Sequence, residues 1–350
     1  MINSYKFQKV GVISYGVYIP KYRLNSKEIA KNWDKDESII DSLGVEQKSV
    51  ADWDEDCLTM AYEASSEAIK NSGIDPKKIG ALFMGSESFP YAVKPTSTTL
   101  AKYLGLDNKY FSTDLQFACK AGTSAIQIVS SMIESGIIDY GLAIGSDKAQ
   151  SKPNDALEFT ASSGASAILL GRNRNKWIAS LKNTYSYSSD TIDFWRREKV
   201  KFPSHTGRFT GKPSYFKHVE ECTKNFLKTY SIKIRDTDYV IFHSPNKKFP
   251  EKVSNILGFT EKQLKHSLLV KEIGNTYSAN SLISLSNVFD HCSGKEKILV
   301  TSYGSGAGSD SLFFVTSKNI KNYKKTHISK KIKEIIYISY SDYLKKINIL

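Results

Sequence analysis

Apolar runs with alternating helical and extended periods cover most of the chain. Val10 to Tyr15 predicts a first strand, and Ser26 to Trp33 a helix with Ser26 as its N-cap. A second helix is expected from Asp56 to Asn71, stopped by Gly73 with Pro76 just beyond. Ile79 to Met84 reads as a short buried strand, and Pro95 to Leu104 as a helix ending at Gly105. The extended stretch from Tyr110 to Ala118 turns at Cys119 into a helix in which Ile126, Val129 and Ile133 recur at helical spacing. Strands at Tyr140 to Ile144 and Ser163 to Leu170 follow. Such alternation predicts an α/β architecture. Residues 185–215 break the pattern. They are rich in Tyr, Ser, Trp, Arg and Gly without apolar period, which reads as a functional loop region.

The second half of the chain repeats the first. Strand Tyr239 to His243 ends in a polar residue, as the strand leading to Glu87 does, and each is followed by a proline-containing turn, a helix and a Leu-Gly stop. Cys119-Lys-Ala-Gly-Thr-Ser-Ala-Ile then has a counterpart in Asn275-Thr-Tyr-Ser-Ala-Asn-Ser-Leu. The interval is the same in both halves: 32 residues separate Glu87 from Cys119 and His243 from Asn275. The repeat is imperfect, because the helix stops need an offset. Taken singly, Glu87 reads as a loop carboxylate, His243 as a strand-end histidine and Asn275 as a turn or cap residue. Packed about a pseudo-twofold axis, the two halves bring all four to one pocket.

Cys119 is the candidate nucleophile. Unpaired N–H groups and the positive end of a helix favour an anion at a helix start, so a thiol there ionises more readily. Small neighbours (Ala118, Ala121, Gly122, Ser124) leave room for an acyl chain to reach the sulfur. A buried cysteine in a small-residue core is the commoner occupant of such a stretch. It is the repeat that sets Cys119 apart.

Composition narrows the class. The 350 residues suffice for one large domain or two fused halves, with an ordinary globular balance of 40% hydrophobic and 24% charged residues. Cys57, Cys119, Cys222 and Cys292 form no CxxC pair or metal-ligand spacing, which argues against a disulfide framework or zinc site and for a reducing cytosol. No run suits a signal peptide or a membrane span, so a soluble cytoplasmic protein is expected. The net charge of +13 is uneven: nine lysines lie from Lys318 to Leu350 against Glu334 and Asp342. No nucleic-acid motif accompanies them, so nucleic acid is not the expected partner. The tail reads as a solvated surface segment, with Ile335 to Tyr340 open as a strand that pairs with a partner or folds back.

The segments GSESFPYAVKP (85–95), DLQFACKAGTSAIQ (114–127), DALEFTAS (155–162), DTIDFWRRE (190–198), GRFTGKPSYFKH (207–218), FHSPNKKFP (242–250), GNTYSANS (274–281) and SYGSGAGSD (302–310) together resemble the thiolase superfamily. Within it they are most similar to the archaeal-type hydroxymethylglutaryl-CoA (HMG-CoA) synthases. The resemblance spans about residues 10–318. It implies a thiolase-like fold, with duplicated βαβαβαββ halves in a five-layer αβαβα sandwich. Residues 1–172 would form the N-terminal half and 173–318 the C-terminal half, carrying the insertion at about 185–215, with 319–350 as a tail.

The implied activity condenses acetyl-CoA with acetoacetyl-CoA and water in the mevalonate pathway to isoprenoids. Cys119 would carry the acetyl group as a thioester, Glu87 would take a proton from its methyl, and His243 would hold and protonate the C3 oxygen. The Cys119 backbone N–H and the Gly304-Ser305-Gly306 turn are the expected oxyanion donors. By resemblance Thr160, Arg208, Thr210, Lys248, Lys252, Asn275 and Ser305 match substrate or CoA contacts, and Asp36 a further family position. Arg and Lys suit CoA phosphates. His205 and His218 read as surface or structural. No cofactor and no metal are expected beyond the two thioester substrates. The expected partners are CoA thioesters, a second copy of the chain, an acetoacetyl-CoA thiolase and a small zinc-ribbon/OB-fold scaffold protein.

A degradative thiolase needs a second reactive cysteine in the late Gly-rich loop, and Ser302 to Gly308 has none. An initiating β-ketoacyl synthase uses Cys, His and Asn, which Cys119, His243 and Asn275 match. Glu87, a base that decarboxylative chemistry does not need, favours the synthase. A polyketide-type HMG synthase acting on carrier-protein acyl groups, and a scaffold subunit of an acyl-transfer complex, complete the alternatives.

Overall fold

The computed structural model describes residues 6–149, 151–207 and 210–349. Nine strands make the main sheet: β1 (Gly11–Tyr18), β2 (Ile79–Gly85), β3 (Phe111–Leu115), β4 (Tyr140–Asp147), β5 (Gly164–Gly171), β6 (Ala179–Ser188), β7 (Tyr239–Phe242), β8 (Lys297–Thr301) and β9 (Gly308–Thr316). Their order is β7-β8-β9-β6-β1-β5-β4-β2-β3. The duplication is visible in this order. Outward from the centre, β1 pairs antiparallel with β5, β5 antiparallel with β4, and β4 parallel with β2. On the other side β6, β9, β8 and β7 follow the same sequence of senses. The two halves join where β1 meets β6 antiparallel, Gly11 opposite Ser180.

Period two along each strand sorts residues between layers. In β2, Phe83 faces a central core with Ala81, while Leu82 and Met84 face an outer one. The outer core of the first half is closed by helix α1 (Cys57–Ser72), with Met60, Ala61, Ala64 and Ala68 buried. Helix α2 (Thr96–Tyr103) lies beside it. The central core holds helices α3 (Ala121–Ser135) and α6 (Asn280–His291), which contribute Ile126, Val129, Leu282 and Val288. Helices α4 (Lys217–Tyr230) and α5 (Lys248–Leu257) cover the outer face of the second half with Phe226 and Val253. The stack is therefore helix, sheet, helix, sheet, helix, the five-layer arrangement expected of a thiolase-like fold.

The axis of the repeat passes through a close backbone contact. Gly122 and Ser278 are equivalent positions, 156 residues apart, and they touch: a Cβ on Gly122 would stand 2.6 Å from the Ser278 carbonyl oxygen. A Cβ on Gly145, near the end of β4, would stand 2.4 Å from the same carbonyl. Equivalent residues that touch lie at the axis, so the strand ends and helix starts of both halves converge there.

Several local expectations are revised. Asn25, not Ser26, caps the first helix, its side chain accepting from the Lys27 N–H, while the Ser26 hydroxyl donates to Val45 O. The aperiodic stretch is less irregular than its composition: β6 runs to Ser188, Phe194–Trp195 pairs with Ser204–His205, and Thr210–Phe216 forms a π-helical turn. The lysine-rich tail is not a loose surface segment. It folds back, with Ile336–Tyr337 added parallel to Tyr22–Asn25. Ile328, Ile332, Tyr340 and Tyr343 are buried beneath the exposed lysines. Its pattern was masked by charge, because the apolar positions are spaced among Lys residues whose stems lie on the surface.

One buried ion pair ties the halves together. Lys120 Nζ lies 2.9 Å from Asp310 Oδ1 in β9, with side-chain exposures of 6% and 0%. Asp310 also accepts from Thr123, Ser124 and Ser186. Lys120→Met leaves that carboxylate without its cation and is expected to cost about 3–5 kcal/mol of unfolding free energy. Replacing Asp310 by Leu in the same chain should recover most of it. Denaturant titration measures both, and a loss below about 1 kcal/mol for the single variant would contradict the role assigned to the pair.

Candidate active site

Cys119 lies between β3 and α3, two residues before the helix begins at Ala121. The preceding residue, Ala118, is left-handed at φ 44°, and so is Gly274 before Asn275, at φ 78°. A residue of positive φ thus precedes both members of this repeat pair. Glu87 stands two residues beyond β2, and its Oε1 is 3.5 Å from Cys119 Sγ, which donates to it. Ala161 and Tyr277 pack against the cysteine, with Phe194 alongside. A cavity of about 200 Å³ opens at Glu87, walled by Asp147, Tyr277, Phe194, Arg196 and Ser305.

Charge at this site runs against the sequence expectation. Burial pushes the Cys119 thiol well up, reinforced by the Glu87 and Asp147 carboxylates. Burial, with Asp147 next, likewise raises Glu87 to about 8. The helix start therefore does not make Cys119 a standing thiolate. Two acids in contact cannot both ionise cheaply in a buried site, so the thiol keeps its proton and Glu87 ionises only towards pH 8. The cysteine is a thiol that hands its proton over when it attacks.

Asp147, which the sequence did not single out, organises this corner. It is buried at the end of β4 and accepts from Ser86 Oγ (2.8 Å), Glu87 N (2.7 Å) and Ser88 Oγ (2.8 Å). It also accepts from Ser278 N of the other half at 2.9 Å. Its only signal in the sequence was its place at the end of a predicted strand. Arg196, inside a noted motif, donates to Glu87 O at 3.4 Å. Asp193 accepts from Tyr303 Oη and from Gly306 N, and Gly304 N donates to Gly308 O. The two glycine amides of the late turn are thus already engaged, which corrects the expectation that the whole turn offers donors.

His243 is fully buried one residue beyond β7, its backbone fixed by Thr301 O and by the Tyr215 hydroxyl. Burial lowers its ring to about 3, so it is neutral at neutral pH. The Asn280 side chain lies beside the ring and opposes that lowering only in part. Asn275 N donates to Thr160 O at 2.7 Å, and Ser162 N to Asn275 O at 2.9 Å, so Thr160 and Asn275 form one clasp. Asn275 Oδ1 accepts from Tyr277 N. Ser305 lines the cavity.

Other expected binding residues lie apart from this centre. Lys248 and Lys252 are exposed on the first turns of α5, with Lys252 Nζ 5.1 Å from the Phe216 ring. Thr210 begins the π-helical turn that ends at Phe216. Asp36 is exposed before the short helix Ser38–Leu43, whose last carbonyl accepts from Lys247 N. Arg208 lies outside the described residues. His218 is buried between Ser189 and Ser214, and His205 pairs with Asp155, both structural as expected.

Residues 6–175 match the family described as Hydroxymethylglutaryl-coenzyme A synthase N terminal, and residues 227–314 the family 3-Oxoacyl-[acyl-carrier-protein (ACP)] synthase III C terminal. Curated relatives named hydroxymethylglutaryl-CoA synthase include one from Archaeoglobus fulgidus, 48% identical over 96% of this chain and 98% of its own. Another, from Methanocaldococcus jannaschii, is 49% identical over 96% of this chain and 99% of its own. In fold the chain is similar to an HMG-CoA synthase complexed with CoA, at TM-score 0.89 and 24% identity, covering 97% of this chain and 90% of that one. It is also similar to the curacin biosynthetic pathway HMG synthase in complex with holo donor-ACP, at TM-score 0.85 and 21% identity over 97% and 88%. Paired with the converging strand ends and the Glu87–Cys119 contact, these likenesses establish that the chain belongs to the hydroxymethylglutaryl-CoA synthase family.

Proposed function

We infer that the chain condenses acetyl-CoA with acetoacetyl-CoA and water to give (3S)-3-hydroxy-3-methylglutaryl-CoA and CoA, in the mevalonate route to isoprenoids. The observation that carries this is the 3.5 Å contact between a buried thiol and a carboxylate raised to about 8. Cys119 passes its proton to Glu87 as the sulfur attacks the acetyl thioester, and CoA leaves with a proton. The acetyl group then sits beside the same carboxylate, which removes a methyl proton. The resulting carbanion equivalent attacks the C3 carbonyl of acetoacetyl-CoA. His243, neutral, donates a hydrogen bond to that oxygen as charge develops. The proton the oxygen finally takes balances the one Glu87 removed. Water cleaves the Cys119 thioester, with the Cys119 and Ser305 amides as oxyanion donors.

Thr160 and Asn275 wall the inner site, while Lys248, Lys252, Thr210 and Asp36 belong to the outer approach, where the lysines suit CoA phosphates. The reaction asks for no cofactor beyond the two thioesters. The chain works as a homodimer in this reading: β3 is one of the two edge strands of the sheet, and Phe111 on it is 57% exposed. The family likeness also supports assembly with an acetoacetyl-CoA thiolase and a scaffold protein in the cytoplasm. Among the described residues no helix is long and apolar enough to cross a membrane.

Intact mass after mixing with acetyl-CoA alone should show one acetyl adduct on the unsubstituted chain, the same adduct forming more slowly on Glu87→Ala, which lacks the acceptor of the thiol proton, and none on Cys119→Ala. Adding acetoacetyl-CoA should yield HMG-CoA only from the unsubstituted chain. An adduct obtained only from carrier-protein-bound acetyl groups would favour the polyketide-type synthase. No adduct from any donor would sink the enzymatic reading.

The Glu87 shift gives a pH prediction with a definite sign. A base must be ionised to act, so kcat/KM should climb with pH and level off above about 8. A profile flat from pH 6 to 9 would contradict the assignment. Stability should move oppositely. A carboxyl raised in the folded state favours folding below its ordinary range, and that contribution is lost as pH rises towards 8. Glu87→Gln should therefore gain Tm relative to the unsubstituted chain at pH 9 but not at pH 4.

A further inference from the structure

Behind the Thr160–Asn275 clasp lies a buried polar cluster that none of the chemistry above uses. Glu158 is fully buried within the turn Ala156–Phe159, immediately before Thr160. Its Oε1 accepts from the Tyr340 hydroxyl at 2.7 Å, and its Oε2 from Trp33 Nε1 at 3.1 Å and Asn154 N at 2.9 Å. Trp33 Nε1 also donates to the Tyr340 oxygen at 2.8 Å. Lys48, 1% exposed, donates to Glu158 O and to the Tyr343 hydroxyl, and its ammonium lies over the Tyr343 ring at 4.3 Å. Both tyrosines belong to the last helix of the tail, Tyr340–Lys346. A second tie runs from that helix to Asp52 through Lys346.

Burying a carboxylate, an ammonium and two phenols is costly unless each finds its partners. Here the tail supplies two of them. The path onward is short. Glu158 leads into Thr160, Thr160 O holds Asn275 N at 2.7 Å, Asn275 Oδ1 holds Tyr277 N at 3.0 Å, and Tyr277 packs on Cys119. The first link is the chain itself through Phe159 and each later one a hydrogen bond or a packed contact between buried groups, so a displaced Glu158 moves the wall facing the nucleophile.

We propose that the C-terminal tail is part of the active site's support, with Tyr340 as a positioning residue that acts through Glu158 on the Thr160–Asn275 wall. This rests on the condensing reading of the site. The tail therefore sets the condensation step rather than Cys119 acylation, because Glu87 is anchored within its own half by Asp147 together with Ser86 and Ser88.

Tyr340→Phe removes the hydroxyl and keeps the ring that packs on Trp33, with centroids 6.0 Å apart. It should form the acetyl adduct from acetyl-CoA as readily as the unsubstituted chain, yet lose about tenfold in kcat for HMG-CoA formation, since small misplacements at a reacting centre cost rates of this order or more. Glu158→Gln, combined with Tyr340→Phe, removes the need for a donor to a buried charge and should restore part of that loss. Amide hydrogen exchange at 156–162 and 275–277 should rise in Tyr340→Phe and fall back in the double variant. Unchanged turnover, or adduct formation and turnover falling together in step with Tm, overturns the proposal. Should the unsubstituted chain form no adduct, the condensing reading fails by itself. The exchange measurement then still decides whether the tail holds this wall, and unchanged exchange refutes the link.

Discussion

Two halves of one chain meet through backbone that no side chain can enter. The Ser278 carbonyl sits against Gly122 and Gly145, where an added Cβ would come within 2.6 and 2.4 Å. The Ser278 N–H donates to Asp147, whose other bonds run to Ser86, Glu87 and Ser88. The approach of the halves and the placing of the base are thus one constraint. A bulkier residue at the axis would separate Glu87 from Tyr277 and Asn275 before it disturbed either half alone. The Lys120–Asp310 pair, adjacent in sequence to Cys119, holds the next layer of the same junction.

That constraint explains the electrostatics. Cys119, Glu87 and Asp147 are brought together in a buried corner, and three acidic groups there cannot all carry charge. Asp147 has several donors to support an anion, whereas Glu87 has the thiol and the more distant Arg196. The outcome is a protonated thiol beside a carboxylate that ionises only towards pH 8, the thiol proton passing to it as the sulfur attacks. Acylation replaces the thiol by a neutral thioester, so Glu87 meets the acetyl methyl with the Arg196 cation as the remaining group that favours its charged form. His243 complements this from the other half as a neutral donor, which a polar oxygen can meet without a buried imidazolium.

Much of this was legible in the residues. The strand ends carrying Glu87 and His243 were marked by apolar runs that stop at polar residues, and the equal 32-residue intervals joined them to Cys119 and Asn275. What the sequence misled on was charge. A helix start argues for a thiolate, but the local carboxylates and burial outweigh a partial helix charge, and neither is visible before the chain folds. Asp147 escaped notice because its importance lies in four hydrogen bonds made across both halves, not in any spacing. The tail was misjudged for a similar reason: its lysines dominated the composition, while the partners of Tyr340 and Tyr343 lie at Trp33, Lys48 and Glu158, far away in sequence.

The central claim is that the carboxylate touching Cys119 is the base that works on the acetyl group once it is bound there. Mass spectrometry of deuterium washout from trideuteroacetyl-CoA, followed in the acetyl-Cys119 peptide, tests it directly. The account predicts progressive loss of deuterium from the bound acetyl group in the unsubstituted chain, and an acetylated but fully deuterated peptide in Glu87→Gln. Equal washout in both would contradict it and require another base at this site.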